Sequence, residues 1–151
     1  TDHQAHPLPA TGIHVIDGQP NRRLQIKTDF QDHLPNVPLS VDAIKQVMLN
    51  LLNNAVDAVS GTGTVFLQTA VINNTFMDII ITDTGAGISS DDMSKIFDPF
   101  FTTKPGGSGL GLTVTKRIIE DYGGAINVNS RIHEGAAFTL RLPIHRHDAD
   151  E

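Results

Sequence analysis

The strongest constraint on this chain is the segment from Val41 to Val59, whose pattern predicts one long helix with two different faces. Ile44, Val47, Met48, Leu51, Leu52, Ala55, Val56 and Val59 recur at three- and four-residue spacing and make a wide apolar stripe. A stripe that wide must be buried against another layer, so the rest of the chain has to supply one. Away from it, Asn50, Asn54 and Asp57 fall at i, i+4 and i+7, and Gln46 extends the polar row. Ser40 is the expected N-cap, Asp42 suits the first turn, and Gly61 and Gly63 end the helix. A polar row of this kind is on its own an ordinary solvated face. Asn side chains also offer a hard cation such as Mg²⁺ an oxygen ligand that adds no charge.

The second layer reads as a sheet. Arg23 to Phe30 alternates apolar with polar, as a half-buried strand does. Strands are expected over Thr64 to Ile72 and Phe76 to Asp83, joined through Asn73-Asn74, a pair that tolerates positive φ. Ile79-Ile80-Ile81 is apolar on both faces and predicts a central strand. Two more strands, Ala125 to Ser130 and Ala136 to Leu142, close the domain. A short helix is expected from Ser90 to about Ile96, with Ser89 and Asp92 in a capping-box arrangement. A third helix is expected from Leu110 to Tyr122, its stripe Leu110, Val114, Ile118 and Tyr122, its stop Gly123. The fold class is therefore α+β, a mixed sheet with helices packed on one face. Residues 1–21 read as a leader or linker remnant, 22–143 as the domain, and 144–151 as a polar tail.

Composition narrows the function. A chain of 151 residues, 39% hydrophobic and 19% charged, has the makings of a folded core. A net charge of -6 argues against a nucleic-acid surface. No apolar run approaches the roughly 20 residues of a membrane helix, so no direct membrane contact is expected of this piece. With no cysteine there is no disulfide framework, which is compatible with a reducing cytosol.

Three further segments carry chemistry. Asp83 ends the apolar strand and opens the turn Asp83-Thr84-Gly85-Ala86-Gly87. A carboxylate there can accept from an exocyclic amine, and the glycines allow close backbone approach; a plain strand-ending turn has the same pattern. Phe97-Asp-Pro-Phe100-Phe101-Thr-Thr-Lys104 gathers three of the chain's seven phenylalanines, and Lys104 can offer a phosphate a point charge. Gly107, Gly109 and Gly111, around Leu110, precede the third helix. Backbone N–H groups at a helix N-terminus form a phosphate cradle, although the spacing matches neither a Walker loop nor a Rossmann fingerprint. None of the seven histidines has metal-ligand or nucleophile surroundings.

Taken together, Asn50-Leu-Leu-Asn-Asn54-Ala, Asp83-x-Gly-x-Gly87, Phe97 to Lys104 and Gly107-x-Gly-Leu-Gly111 resemble the ATP site of the sensor histidine kinases. The wider group is the Bergerat-type ATPase superfamily, which also holds the type II topoisomerase ATPases, a mismatch-repair ATPase and a heat-shock chaperone. The likeness runs from about Ala43 to Pro143 and looks closest to the nitrogen- and oxygen-sensing kinase subgroups. It implies a two-layer sandwich with a mostly antiparallel sheet and about three helices on one face. It also implies ATP and Mg²⁺ as cofactors, with Asn54 as the metal ligand. Asp83 would take the adenine amine, and Asp57, Gly85, Gly87, Lys104, Gly107, Gly109, Leu110 and Gly111 would line the nucleotide site. Asn50 and Lys104 would act at the transferred phosphoryl group. The implied enzyme is an ATP-dependent protein-histidine kinase whose acceptor His lies on a separate dimerisation domain absent from this chain, so the fragment alone would not label itself. A response regulator would be the onward partner, and the location cytoplasmic, with any membrane anchor outside this piece. The hydrolysing relatives place a Glu four residues before the Asn-Ala asparagine; here Asn50 stands there. The family often reads Ser-x-x-Gly-x-Gly-Thr-x-Phe, where this chain has His133 and Ala136 in place of the first Gly and the Thr. Ala136 is the one hint of a nucleotide-sensing module that does not transfer.

Overall fold

The computed structural model describes residues 11–16, 23–102 and 109–144. Six strands form one mixed sheet: β1 (Thr11–Ile16), β2 (Arg23–Asp29), β3 (Thr62–Ile72), β4 (Phe76–Asp83), β5 (Ala125–Arg131) and β6 (Gly135–Pro143), in the order β1-β2-β3-β4-β6-β5. Every neighbouring pair is antiparallel except β2 with β3. Parallel strands need a crossover, and here it is α1 (Val41–Ala58). Two more helices, α2 (Ser90–Met93) and α3 (Gly111–Asp121), complete the α+β arrangement.

The core lies between the sheet and the helices. Val47, Leu51 and Ala55 of α1, with Val59 just beyond it, are buried, and Ile44, Met48, Leu52 and Val56 pack beside them, as the periodicity requires. Against them stand Val65 and Leu67 of β3, Met77, Ile79 and Ile81 of β4, and Phe138, Leu140 and Leu142 of β6. Alternation along the central strand places Asp83 in register with these inward residues, at the open end of the core. Asp78 points to the other side. Its buried carboxylate accepts two 2.8 Å hydrogen bonds from Arg141, its direct cross-strand neighbour, whose guanidinium stacks over Phe76.

Local rules hold at several ends. Ser40 caps α1 by accepting from the N–H of Ala43, and Ser89 caps α2 from the N–H of Asp92. The N–H of Thr75 closes the β3–β4 turn on the carbonyl of Ile72, with Asn73 and Asn74 at φ of 52° and 55°.

Four expectations need correction. Residues 11–16, assigned to a leader, are an edge strand; what orders them is the ladder to β2, while the local cue was only a short run rich in Ile and Val. Ile144, assigned to the tail, packs on the core and donates its N–H to Thr75. The short helix ends at Met93 rather than near Ile96, and a turn before Pro99 drops Ile96 into the core. The stripe of α3 is also different: of its four members Ile118 packs against the core and Leu110, Val114 and Tyr122 are exposed, while Thr115 and Ile119 are fully buried. Among the described residues no helix is long and apolar enough to cross a membrane.

Two neighbouring leucines test which face of α1 carries the fold. Leu51 is buried and Leu49 exposed. Leu51→Ala should lower the unfolding free energy by about 3 kcal/mol, and Leu49→Ala by less than about 0.5 kcal/mol, read from denaturant melts.

Candidate functional site

The polar row of α1 borders a concave surface, with Asn50 and Asn54 half-buried and Asp57 exposed. Asn50, Asn54 and Asp57, with Asn53 and Ser60, form one wall of a cavity of about 680 Å³. The end of β4 contributes Asp83, the loop after it Ala86, Gly87 and Ile88, and β6 contributes Ala136 and Phe138. Gly109, Gly111 and Leu112 at the start of α3 close the far side. A volume of this order holds a nucleotide-sized ligand.

Asp83 sits at the base of the cavity, 5% exposed. The Gly85 N–H donates to its Oδ1 at 2.8 Å. Burial raises its pKa above the ordinary carboxylate value, and the N–H groups of Gly85 and Ala136 oppose that rise only in part. Ile88, Ile96 and Phe138 give the cavity an apolar lining as well. An apolar slot with one acceptor carboxylate suits a flat, amine-bearing base.

The loop carrying Asp83 is pinned from two sides. The N–H of Ala86 donates to the carbonyl of Ala58 at the end of α1, and its carbonyl accepts from the N–H of His133 in the β5–β6 turn. Gly85 and Gly87 are required by contact: a Cβ on Gly85 would lie 2.3 Å from the carbonyl oxygen of Ala58, and one on Gly87, at φ +76°, 2.0 Å from that of Arg131. Ser130 ties the two segments together, accepting from the N–H of Ile88 and donating to the carbonyl of Gly135. His133 holds φ +67°, so the position where the family often has glycine keeps the left-handed backbone without it.

Opposite Asp83 the N-terminus of α3 meets the polar wall. Its N-cap, Leu110, supplies no side-chain hydrogen bond, unlike Ser40 and Ser89 on the other helices. The Leu110 side chain therefore does not cap these first-turn N–H groups, in a place where the helix dipole favours an anion. Asn50 joins the two helices: its amide nitrogen donates to the carbonyl of Gly111 at 3.2 Å and to Oγ1 of Thr115 at 3.1 Å. Gln46 donates to its Oδ1 at 3.2 Å.

Of the site residues expected from the sequence, Asn50, Asn54, Asp57, Asp83, Gly87, Gly109 and Gly111 are brought to this one cavity. Gly85 supports Asp83 through its N–H, and Leu110 caps α3 with an exposed side chain. Lys104 and Gly107 lie outside the described residues. Asn53, Ser60 and the apolar lining were not expected, whereas Ala136 had been marked by its departure from the family's Thr. Asn53 had a signal in its adjacency to Asn54, whereas Ile88, Ile96 and Phe138 carry the same pattern as core residues.

Sheet, helices and cavity together define a two-layer domain of the Bergerat type. Residues 40–146 match the histidine kinase-, DNA gyrase B-, and HSP90-like ATPase family, and the chain belongs to it. It is 40% identical to the sensor histidine kinase ZraS of Salmonella typhimurium, over 82% of this chain and 27% of that protein. It is 46% identical to the signal transduction histidine-protein kinase AtoS of Escherichia coli, over 80% of this chain and 21% of that protein. The full-length structure of ShkA in complex with AMPPNP superposes with a TM-score of 0.73 at 29% identity, covering 83% of this chain and 27% of that one. The chain thus spans about a quarter of the length of these relatives.

The glycines make a direct test of the site's construction. Gly87→Ala should lower stability by about 2 kcal/mol or more, from the left-handed backbone and the clash with Arg131. Gly111→Ala meets nothing closer than 3.8 Å and should fold with stability within about 0.5 kcal/mol of the parent in thermal melts.

Proposed function

We propose that this chain is the ATP-binding catalytic domain of a sensor histidine kinase, which binds Mg·ATP and delivers the γ-phosphoryl group to a histidine on a separate dimerisation and phosphoacceptor domain. The observation that carries this reading is the single cavity that joins Asp83 and apolar side chains to the Asn50–Asn54–Asp57 row and the start of α3. Asp83 would accept from the adenine amine, and the first turn of α3 would bind phosphate oxygens through backbone N–H groups. Lys104 would add a positive charge near the phosphates.

Among the described residues there is no group of three or more His, Asp or Glu side chains able to hold a metal by itself. The donors on the cavity wall, Asn54 and Asp57, instead fit Mg²⁺, which keeps waters and phosphate oxygens and takes only one or two protein ligands. Asn54 would be that ligand, and the ion would neutralise charge on the transferring phosphoryl group. What the chain itself does is position and neutralise, since phosphoryl transfer needs little covalent chemistry from the protein.

Direct hydrolysis is disfavoured by Asn50: an amide has no proton-accepting strength, and both its N–H bonds are directed to α3. The whole protein would act in the cytoplasm, pass its phosphoryl group to a response regulator, and carry any membrane anchor elsewhere in its length.

Two measurements test the reading. Asp83→Asn should abolish most AMPPNP binding in calorimetric titration without unfolding the domain. In the parent, affinity should fall as pH drops through the raised pKa of Asp83, because the ionised carboxylate is the better acceptor. Stability of the nucleotide-free domain should run the other way. A folded-state pKa above the unfolded value means the folded state holds the proton more tightly, so this group favours folding as pH falls toward the ordinary carboxylate range. In the second measurement the chain alone, given γ-labelled ATP and Mg²⁺, should take up no label. Adding a matching domain that bears a phosphoacceptor His should place acid-labile label on that domain. Label on this chain itself would refute the two-domain reading.

A further inference from the structure

Thr115 is fully buried on α3, yet it is polar, does not reach the cavity, and has no role in the nucleotide reading above. Its Oγ1 accepts from the amide nitrogen of Asn50, 65 positions earlier in the chain. The same nitrogen also donates to the carbonyl of Gly111, one helical turn before Thr115. A carbonyl oxygen can only accept, so Gly111 fixes which end of the Asn50 amide faces α3. With Thr115 as the second acceptor, the amide nitrogen is engaged by α3, and Gln46 donates to Oδ1. The oxygen keeps further acceptor capacity and is the group Asn50 can offer to the cavity.

We propose that Thr115 is a positioning residue of the nucleotide site, holding the Asn50 amide so that it offers the cavity an oxygen acceptor while clamping the first turn of α3 against α1. This inference rests on the Mg·ATP reading and sharpens the part assigned to Asn50. An acceptor oxygen repels phosphate oxygens and favours the cation, a water bound to it, or another N–H or O–H donor. Asn50 therefore serves the metal side of the triphosphate, and the phosphate oxygens are left to the N–H groups of α3. Both depend on the bonds that Thr115 and Gly111 make with one side chain.

The test uses the whole chain, with AMPPNP plus Mg²⁺ and adenosine as two separate probes in calorimetric titration. Thr115→Val keeps the branched shape but leaves one Asn50 N–H unpaired in a buried place. It should weaken Mg·AMPPNP by about tenfold, the effect of one such hydrogen bond, while adenosine affinity stays within about twofold. Thr115→Ser restores the hydroxyl and should bind Mg·AMPPNP within about twofold of the parent. On an Asn50→Ala background, Thr115→Val should add no further loss, because the partner is already gone. Parental Mg·AMPPNP affinity in Thr115→Val would overturn the proposal, as would equal losses for both probes or a failure of Ser to rescue. If Thr115→Val does not fold, the Ser variant and the Asn50 single variant decide: Ser as weak as Asn50→Ala overturns it. Failure of the unsubstituted chain to bind AMPPNP refutes the nucleotide reading itself, an outcome distinct from a Thr115-specific one.

Discussion

The packing of α1 against β4 and β6 is the contact on which both the fold and the site depend. One face of this helix buries Val47, Leu51 and Ala55 into the sheet, and apolar burial of that kind is the main stabilising term in a domain of this size. Because α1 is rigid, fixing one face fixes the other, so Asn50, Asn54 and Asp57 are set in place by the burial of Val47, Leu51 and Ala55. The same contact brings the end of α1 to the loop after β4, where Ala58 accepts from Ala86 and leaves no room for a side chain on Gly85. Core and cavity are two sides of one helix.

Asp83 shows what the site demands of the fold. A carboxylate at the end of a central strand, 5% exposed, is disfavoured by desolvation. Two backbone N–H groups, from Gly85 and Ala136, reduce the penalty without removing it. Asp78, five positions earlier on the opposite face, is treated differently, with a bidentate partner in Arg141. One buried carboxylate is fully matched inside the sheet, and the other keeps acceptor capacity where the cavity opens. That contrast separates a structural pair from a group placed to meet a ligand.

Hydrophobic periodicity located α1 to within a residue and misread α3. On α1 the apolar positions form a single stripe, so pattern and burial agree. On α3 two stripes compete, and the more apolar one, through Leu110, Val114, Ile118 and Tyr122, is exposed at all but Ile118. The buried stripe passes through Thr115, which scores as polar in any sequence window and is buried because Asn50 supplies a hydrogen bond. Long-range pairing also explains the edge strand at residues 11–16, whose order comes from its ladder to β2.

What the sequence determined by itself was the set of local, covalently close signals: the stripe and caps of α1, the Asn73-Asn74 turn, the apolar run of β4, and the Asn, Asp and Gly positions that mark the family. Spacing along one helix or one turn fixes relative direction, so these were legible without coordinates. Only the tertiary structure decided that the polar row lines a cavity, which apolar residues share that cavity with Asp83, and that Asn50 is held by α3. Each of those depends on what a residue meets across tens of positions of chain, and packing rather than local propensity chooses that partner.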